Sequence, residues 1–472
     1  MTRELRLVLI AAGVVAVLAV TSLLLWLNPV EVQDTLITLK AVEPVNVSRV
    51  AIHNQYGTID IRYMDEGYEV DDIPADLVDM DEFIDLLTDC GQVMALRIVA
   101  EAPQDAAPYG LDQPTARVGI TYDDGTSLTL LVGAEEQVSG DFYASVEGSP
   151  AIYLMEADRC TGFLVPKKAY VEDLVTPRLA ISSPLSALLN VTFAGGTLAE
   201  PVTIEAVATG DPALIQAALS FGAPTHLVRG RGTYELDQTY GVQMLGPLLG
   251  ITAIDIVDYG LTPEEIAAFG FDHPTMQVTF DLKNGVEAET EHFDLNLLCR
   301  DDGCYMTCND RGLIYAVEQP AWLNLEYDKL LVRWFLSPLL QDVREVELTT
   351  GGESYRFVIT GESNADKRVT CNGEDLDIER FRVLYRLLTS AAHDGRLLDD
   401  IAVEGVPLLQ LTYRYVDDRK PPDVMALYAG DSRRVYVQVN GMTELAMQET
   451  YLVRVQEALA VLWSDDPIAT EW

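Results

Sequence analysis

The sequence predicts an α+β protein: one N-terminal transmembrane helix, then three tandem modules, each an antiparallel β-sheet with a packed helix. Three observations predict it. An uncharged apolar run opens the chain, two long segments repeat one another, and Asx-Gly pairs sit between segments of alternating hydrophobicity.

The apolar run covers residues 7–27. At about 1.5 Å per residue it reaches roughly 31 Å, enough to cross a hydrocarbon core of about 30 Å. Arg3 and Arg6 precede it, and no Lys or Arg follows until Lys40. This asymmetry predicts a cytoplasmic stub at 1–6 and an extracytoplasmic remainder, with the bilayer as a partner through 7–27. Trp26 suits an interfacial anchor, and Asn28-Pro29 ends the helix. A cleaved signal peptide is the rival. Its apolar core would be only about 7–15 residues, so the length favours an uncleaved signal anchor.

The formal charge is −42, from 32 basic and 74 acidic residues. Such a field repels nucleic acid and anionic headgroups, so no nucleic-acid partner is expected. The acid is dispersed along the chain rather than gathered in a tail. With 49% hydrophobic residues the chain can build real cores.

The repeat explains most of the organisation. Tyr109, Gly110, Asp112 and Pro114 match Phe269, Gly270, Asp272 and Pro274, a shift of 160 (269 − 109). The turn at Gly125 matches Gly285. Two further residues later in the segment bring Tyr143 onto Tyr305. A weaker third copy aligns Tyr436 and Gly441 with Tyr143 and Gly148, and a loop at 417–422 replaces its Asp-Gly turn. Each copy reads as β-hairpins. Helices are expected ahead of each sheet, at 79–87, 238–249 and 376–388, and after each, at 165–174, 321–335 and 449–463. The modules are therefore 45–180, 185–335 and 340–465, with an insertion in the second at about 194–232.

The Tyr109-Gly110-Leu111-Asp112 turn ending at Pro114, the Asp-Gly hairpin, Gly133, and the FYASVEG and IYLM strands resemble the bacterial domain-of-unknown-function family 4340. The resemblance covers about 45–335 and fades over 340–465. It implies a membrane-anchored fold family rather than an active site. It also implies ABC-type export systems, of the kind related to gliding-motility auxiliaries, as the company the protein keeps.

The residues themselves suggest little chemistry. Asp112 and Asp272 suit turn caps before Pro. Tyr143, Tyr305 and Tyr436 suit half-buried strand packing. The five His are scattered, without metal or triad spacing. The acids from Asp71 to Glu82 lack a calcium-loop pattern and suit a solvated loop and helix N-terminus. Cys299, Cys304 and Cys308 lack a fourth zinc ligand. Cys299 and Cys304 flank a hairpin loop, where a disulfide and two free thiols both remain open. No catalytic, metal or cofactor-binding residue is assigned. The expectation is a non-enzymatic accessory or scaffold protein of the cell membrane, contacting ABC-type permease or ATPase subunits. The alternative is a binding module for a cell-envelope polymer or peptide.

Overall fold

The computed structural model describes residues 36–64, 67–179, 183–285, 287–363, 365–398 and 401–472. The stretch 7–27, expected to be a membrane anchor, lies outside them. The chain divides into two compact units, Met1–Glu172 and Asp173–Trp472.

In the first unit, Val47–Asn54 and Ala116–Tyr122 lie side by side at the centre of an antiparallel sheet. Gly57–Met64 and Gly67–Val70 extend it on one side. On the other, Ser127–Glu135, Phe142–Val146 and Ile152–Met155 form a meander, closed by Arg97–Ala100. The two sheets of the second unit follow the same order. Their centres are Leu188–Gly195 beside Met276–Leu282, and Val343–Thr350 beside Leu409–Tyr415. A two-stranded ribbon, Ile37–Ala41 with Gln92–Ala95, completes the first unit.

Alternation puts one set of side chains inside: Val118, Ile120 and Tyr122 are buried on one strand, and Val346 and Leu348 on another. In each sheet a helix falls ahead of the second central strand: α1 (Met80–Gly91), α2 (Gln238–Leu245) and α3 (Ile378–Leu388). Each starts at an aspartate, Asp79, Asp237 or Asp377, whose carboxylate accepts backbone N–H groups of the first turn. The apolar stripe of α1 (Phe83, Leu86, Leu87, Cys90) is buried.

The expected α+β class with a membrane-spanning helix is corrected here. Over the described residues the protein is mostly β, with four sheets, 40% strand and 23% helix. Among the described residues no helix is long and apolar enough to cross a membrane. Helices are short for local reasons. The helix expected at 165–174 lies earlier, at Ala157–Leu164, and stops ahead of Pro166. The apolar run expected to continue a helix to Phe335 holds only the turns Ala321–Asn324 and Tyr327–Leu330. Its remainder bridges to strand-like neighbours, Leu331 to Leu236 and Trp334 to Ala392. Within the span read as an insertion, Val202–Ala206 and His226–Arg229 extend the sheet as Gly57–Met64 and Gly67–Val70 do. The part without a counterpart is the helical stretch 212–221.

Asp89, on α1, gives a test of unit-one packing. Burial pushes its carboxyl up to about 6, against the opposing pull of the Arg159 guanidinium at 3.4 Å. The nearby acids Asp85, Glu156 and Asp158 push the same way as burial. A raised acid stabilises the fold most below its unfolded value, near pH 4. That contribution is lost as pH rises through about 6. Asp89→Asn is therefore expected to leave stability at pH 4 unchanged and to raise it by about 1–3 kcal/mol at pH 8. Urea-dependent proteolysis of the full chain at sites within 36–172, at both pH values, measures the difference.

Candidate functional site

The repeated residues lie in turns and on strands. Tyr109 and Tyr143 meet edge to face at 5.2 Å, and Phe269 and Tyr305 repeat the contact at 5.1 Å, with interplanar angles of 80° and 79°. Gly110 follows in the left-handed region with φ +65°, and Gly270 with φ +126°. Gly125, Gly148, Gly285 and Gly441 also have positive φ at turns. Asp112 and Asp272 are exposed and Pro114 and Pro274 half-buried; the turns close through backbone hydrogen bonds, such as Gly110 N–H to Ala107 O. Tyr436 is half-buried on its strand opposite Tyr428. Cys299 and Cys304 lie directly opposite across their hairpin and are bridged, while Cys308 is a buried free thiol.

Two polar constellations in the second unit stood outside the sequence reading. The first is a buried clasp. Asp423, 1% exposed, accepts hydrogen bonds from Ser220 Oγ (2.6 Å), Asn440 Nδ2 (2.9 Å) and the Tyr415 hydroxyl. Lys420, buried in the 417–422 loop, places its ammonium 3.2 Å from Asp423 and 2.9 Å from Ser220 Oγ. A serine beside a lysine invites a nucleophile reading. Here the lysine is ion-paired with Asp423, and the serine hydroxyl donates its hydrogen bond to the same carboxylate; neither is set up as base or nucleophile. The clasp ties the helical stretch 212–221 of one sheet's wing to the strands of the other.

The second constellation is a pocket of about 290 Å³. Its walls come from the 197–202 loop, Gly230 and Arg231, the segment 325–328, Leu397 and Glu444. Thr197 Oγ1 donates to Leu325 O at 2.7 Å and fastens two of those walls together. Glu444, on Met442–Gln448, is 1% exposed. Its Oε2 accepts from the Tyr234 hydroxyl at 3.0 Å. The Tyr327 hydroxyl interacts with the same carboxylate, and both its oxygen and Glu444 Oε1 are sealed from solvent. Burial raises the Glu444 carboxyl, opposed by the Tyr234 and Tyr327 hydroxyls and the Arg231 charge. Burial, then the Glu444 charge, raises the Tyr327 hydroxyl. Arg231 itself turns toward Glu200 (3.7 Å) and Leu398 O (3.4 Å).

Comparison with known families adds one finding. Residues 66–163 match the family model of a domain of unknown function, DUF4340. The resemblance read from the sequence thus holds over that span. The DUF4340 span contains α1, the Tyr109–Tyr143 contact and the meander as far as Ala157–Leu164. The pocket and the clasp belong to the second unit, beyond it. Neither the curated proteins nor the solved structures yielded a match.

Two signals in the sequence pointed to the missed residues. Glu444 is a lone acid beside the apolar run Leu445-Ala446-Met447, and Lys420 sits directly before Pro421-Pro422 in a chain poor in lysine. Both also fit an exposed strand face or loop. Their burial arises only when the two sheets of the second unit meet.

Proposed function

We propose that this chain is a non-enzymatic accessory protein that works by contact outside the cytoplasm, beside an ABC-type transporter of the cell membrane. The observation that carries the reading is the Glu444 pocket, a concave site whose polar lining is set to hold a partner group rather than to attack one. The Cys299–Cys304 bridge suits an oxidising compartment. The charge of −42 suits a soluble surface that avoids anionic headgroups and nucleic acid. The transporter enters through the family resemblance, which is an analogy of company rather than of mechanism. The pocket also favours the second reading, a module that binds a cell-envelope peptide, because its volume suits a single side chain.

The test is gentle detergent extraction of the full chain, affinity capture and mass spectrometry. Co-purification of an ABC-type permease or ATPase is the expected result. Recovery of the protein alone, together with turnover of a cell-envelope substrate by the purified chain, would replace the contact reading with an enzymatic one.

A further inference from the structure

We propose that residues 393–398 form an acid-released strap over the outer strand of the last sheet, closed while the His393 ring is neutral and opened when both ring nitrogens carry protons. The inference stands apart from the contact reading and from the Glu444 pocket.

The strap is irregular apart from a single bridge, Leu397 to Leu445. It lies along Met442–Gln448 through three main-chain hydrogen bonds. Asp394 N–H reaches Ala446 O at 3.2 Å, Ala446 N–H reaches Arg396 O at 3.4 Å, and Leu398 N–H reaches Glu444 O at 2.9 Å. Just ahead of it the chain is fastened elsewhere: His393 N–H donates to Arg333 O at 2.8 Å, and Phe335 N–H to Ala391 O at 2.9 Å. His393 is thus the pivot between a fixed segment and a covering one. Its side chain closes that pivot, because Gly395, at φ +83°, donates its N–H to Nδ1 at 3.1 Å.

That bond fixes the tautomer. A ring nitrogen that accepts from an amide carries no hydrogen, so the proton of the neutral ring sits on Nε2. Nε2 is sealed from solvent beside the Val332 carbonyl. A second proton has only Nδ1 to take, and there it faces the Gly395 N–H, donor against donor. The ring is 2% exposed and meets Phe335 edge to face at 5.9 Å, so an imidazolium reaches water only by lifting the strap. Burial is the largest influence on the ring and holds it below its ordinary range, with the Arg333 charge adding to it. The Val332 carbonyl, Asp328 and Asp394 pull the other way. Arg434 is turned to Asp394 and Arg396 to Asp431. A base held low in the closed form favours closure fully above its open value, near pH 6.5; that preference is lost as pH falls. The half-exposed Arg396–Asp431 pair holds the strap only weakly. Release uncovers the main chain of the outer strand at Glu444 and Ala446.

The experiment is hydrogen exchange of the full chain over a pH series from 7.5 to 5.0, read as protection factors so that the intrinsic effect of pH on exchange divides out. Protection of the amides at 394–398 and at Ala446 is expected to fall by about tenfold or more, no more steeply than one proton allows. The interior strand Leu409–Tyr415 should keep its protection, which separates a local release from unfolding. His393→Asn offers Gly395 an acceptor that takes no charge, and should keep the strap protected at pH 5.0. A flat profile in the wild type, a fall shared by Leu409–Tyr415, or the same fall in His393→Asn would overturn the proposal. So would a fall that persists in His393→Asn and vanishes in Glu444→Gln, which would move the switch to that carboxyl. Should His393→Asn fail to fold, the wild-type profile decides alone.

Discussion

Asp423→Ala is expected to destabilise the second unit by about 3–5 kcal/mol, because it strands a buried ammonium. Lys420 is 8% exposed and has Asp423 as its counter-ion; Ser220, Tyr415 and Asn440 would lose their shared acceptor in the same step. Burial, and then the Asp423 charge, already raise the Tyr415 hydroxyl, so the phenol stays a donor across the ordinary pH range. The pair itself has a different worth from its halves. Removing both charges, Lys420→Met with Asp423→Leu, should recover only the part of the loss due to the stranded ammonium, since Ser220, Tyr415 and Asn440 still lack their acceptor. Urea unfolding followed by the fluorescence of Trp322 and Trp334, both in this unit, reads the difference. A loss below about 1 kcal/mol for Asp423→Ala would mean that water reaches the ammonium and that the clasp is not sealed.

Gly110→Ala should destabilise the first unit by about 3 kcal/mol or more, for two additive reasons. The residue sits at φ +65°, where a Cβ is strained, and that Cβ would lie 2.7 Å from the backbone nitrogen of Ala134, which has no freedom to rotate away. Gly133→Ala is a companion test with normal φ, because its Cβ would fall 2.2 Å from the Tyr109 carbonyl oxygen. Gly270→Ala is strained as well, at φ +126°, but lacks the clash with backbone. Its nearest neighbour is the end of the Arg300 side chain, at 2.6 Å, which can move. Hydrogen exchange of the Ala116–Tyr122 strand reports the first two, and that of Met276–Leu282 the third. A negligible effect at Gly133, where only the backbone contact is at stake, would show that the clash is not the cause.

How far the sequence could be read depends on the range of the interaction. Hairpins declared by alternation and by Asp124-Gly125 lie at Ala116–Tyr122 and Ser127–Glu135, because both signals are local. The helices expected at 79–87, 238–249 and 376–388 lie at Met80–Gly91, Gln238–Leu245 and Ile378–Leu388, where Asp79, Asp237 and Asp377 cap them. The class was misjudged because short apolar runs such as 330–336 fit a buried helix and an extended bridge equally well, and only pairing with Leu236 and Ala392 decides between them. The tandem aromatics were legible as packing residues, though not as partners: Tyr109 and Tyr143 are 34 positions apart (143 − 109) and meet only through the sheet. The pocket and the clasp were out of reach. Glu444 meets Tyr234 across 210 residues and Ser220 meets Asp423 across 203, and no local pattern encodes such a pairing.

The flank of each meander also bears on how the chain avoids its own copies. An unpaired outer strand is a template on which another molecule can add. Here the outer strand is covered in all three sheets by a segment that precedes it in the chain. Arg97–Ala100 lies along Ile152–Met155, and Asp255–Tyr259 along Leu313–Val317. In the last sheet an irregular stretch does the same for Met442–Gln448: Leu398 N–H reaches Glu444 O at 2.9 Å, and Asp394 N–H reaches Ala446 O at 3.2 Å. During synthesis the cover therefore leaves the ribosome before the strand it protects. The last long strand of each meander can thus be covered as soon as it forms, and the order of segments works as a safeguard against aggregation that acts before folding is complete.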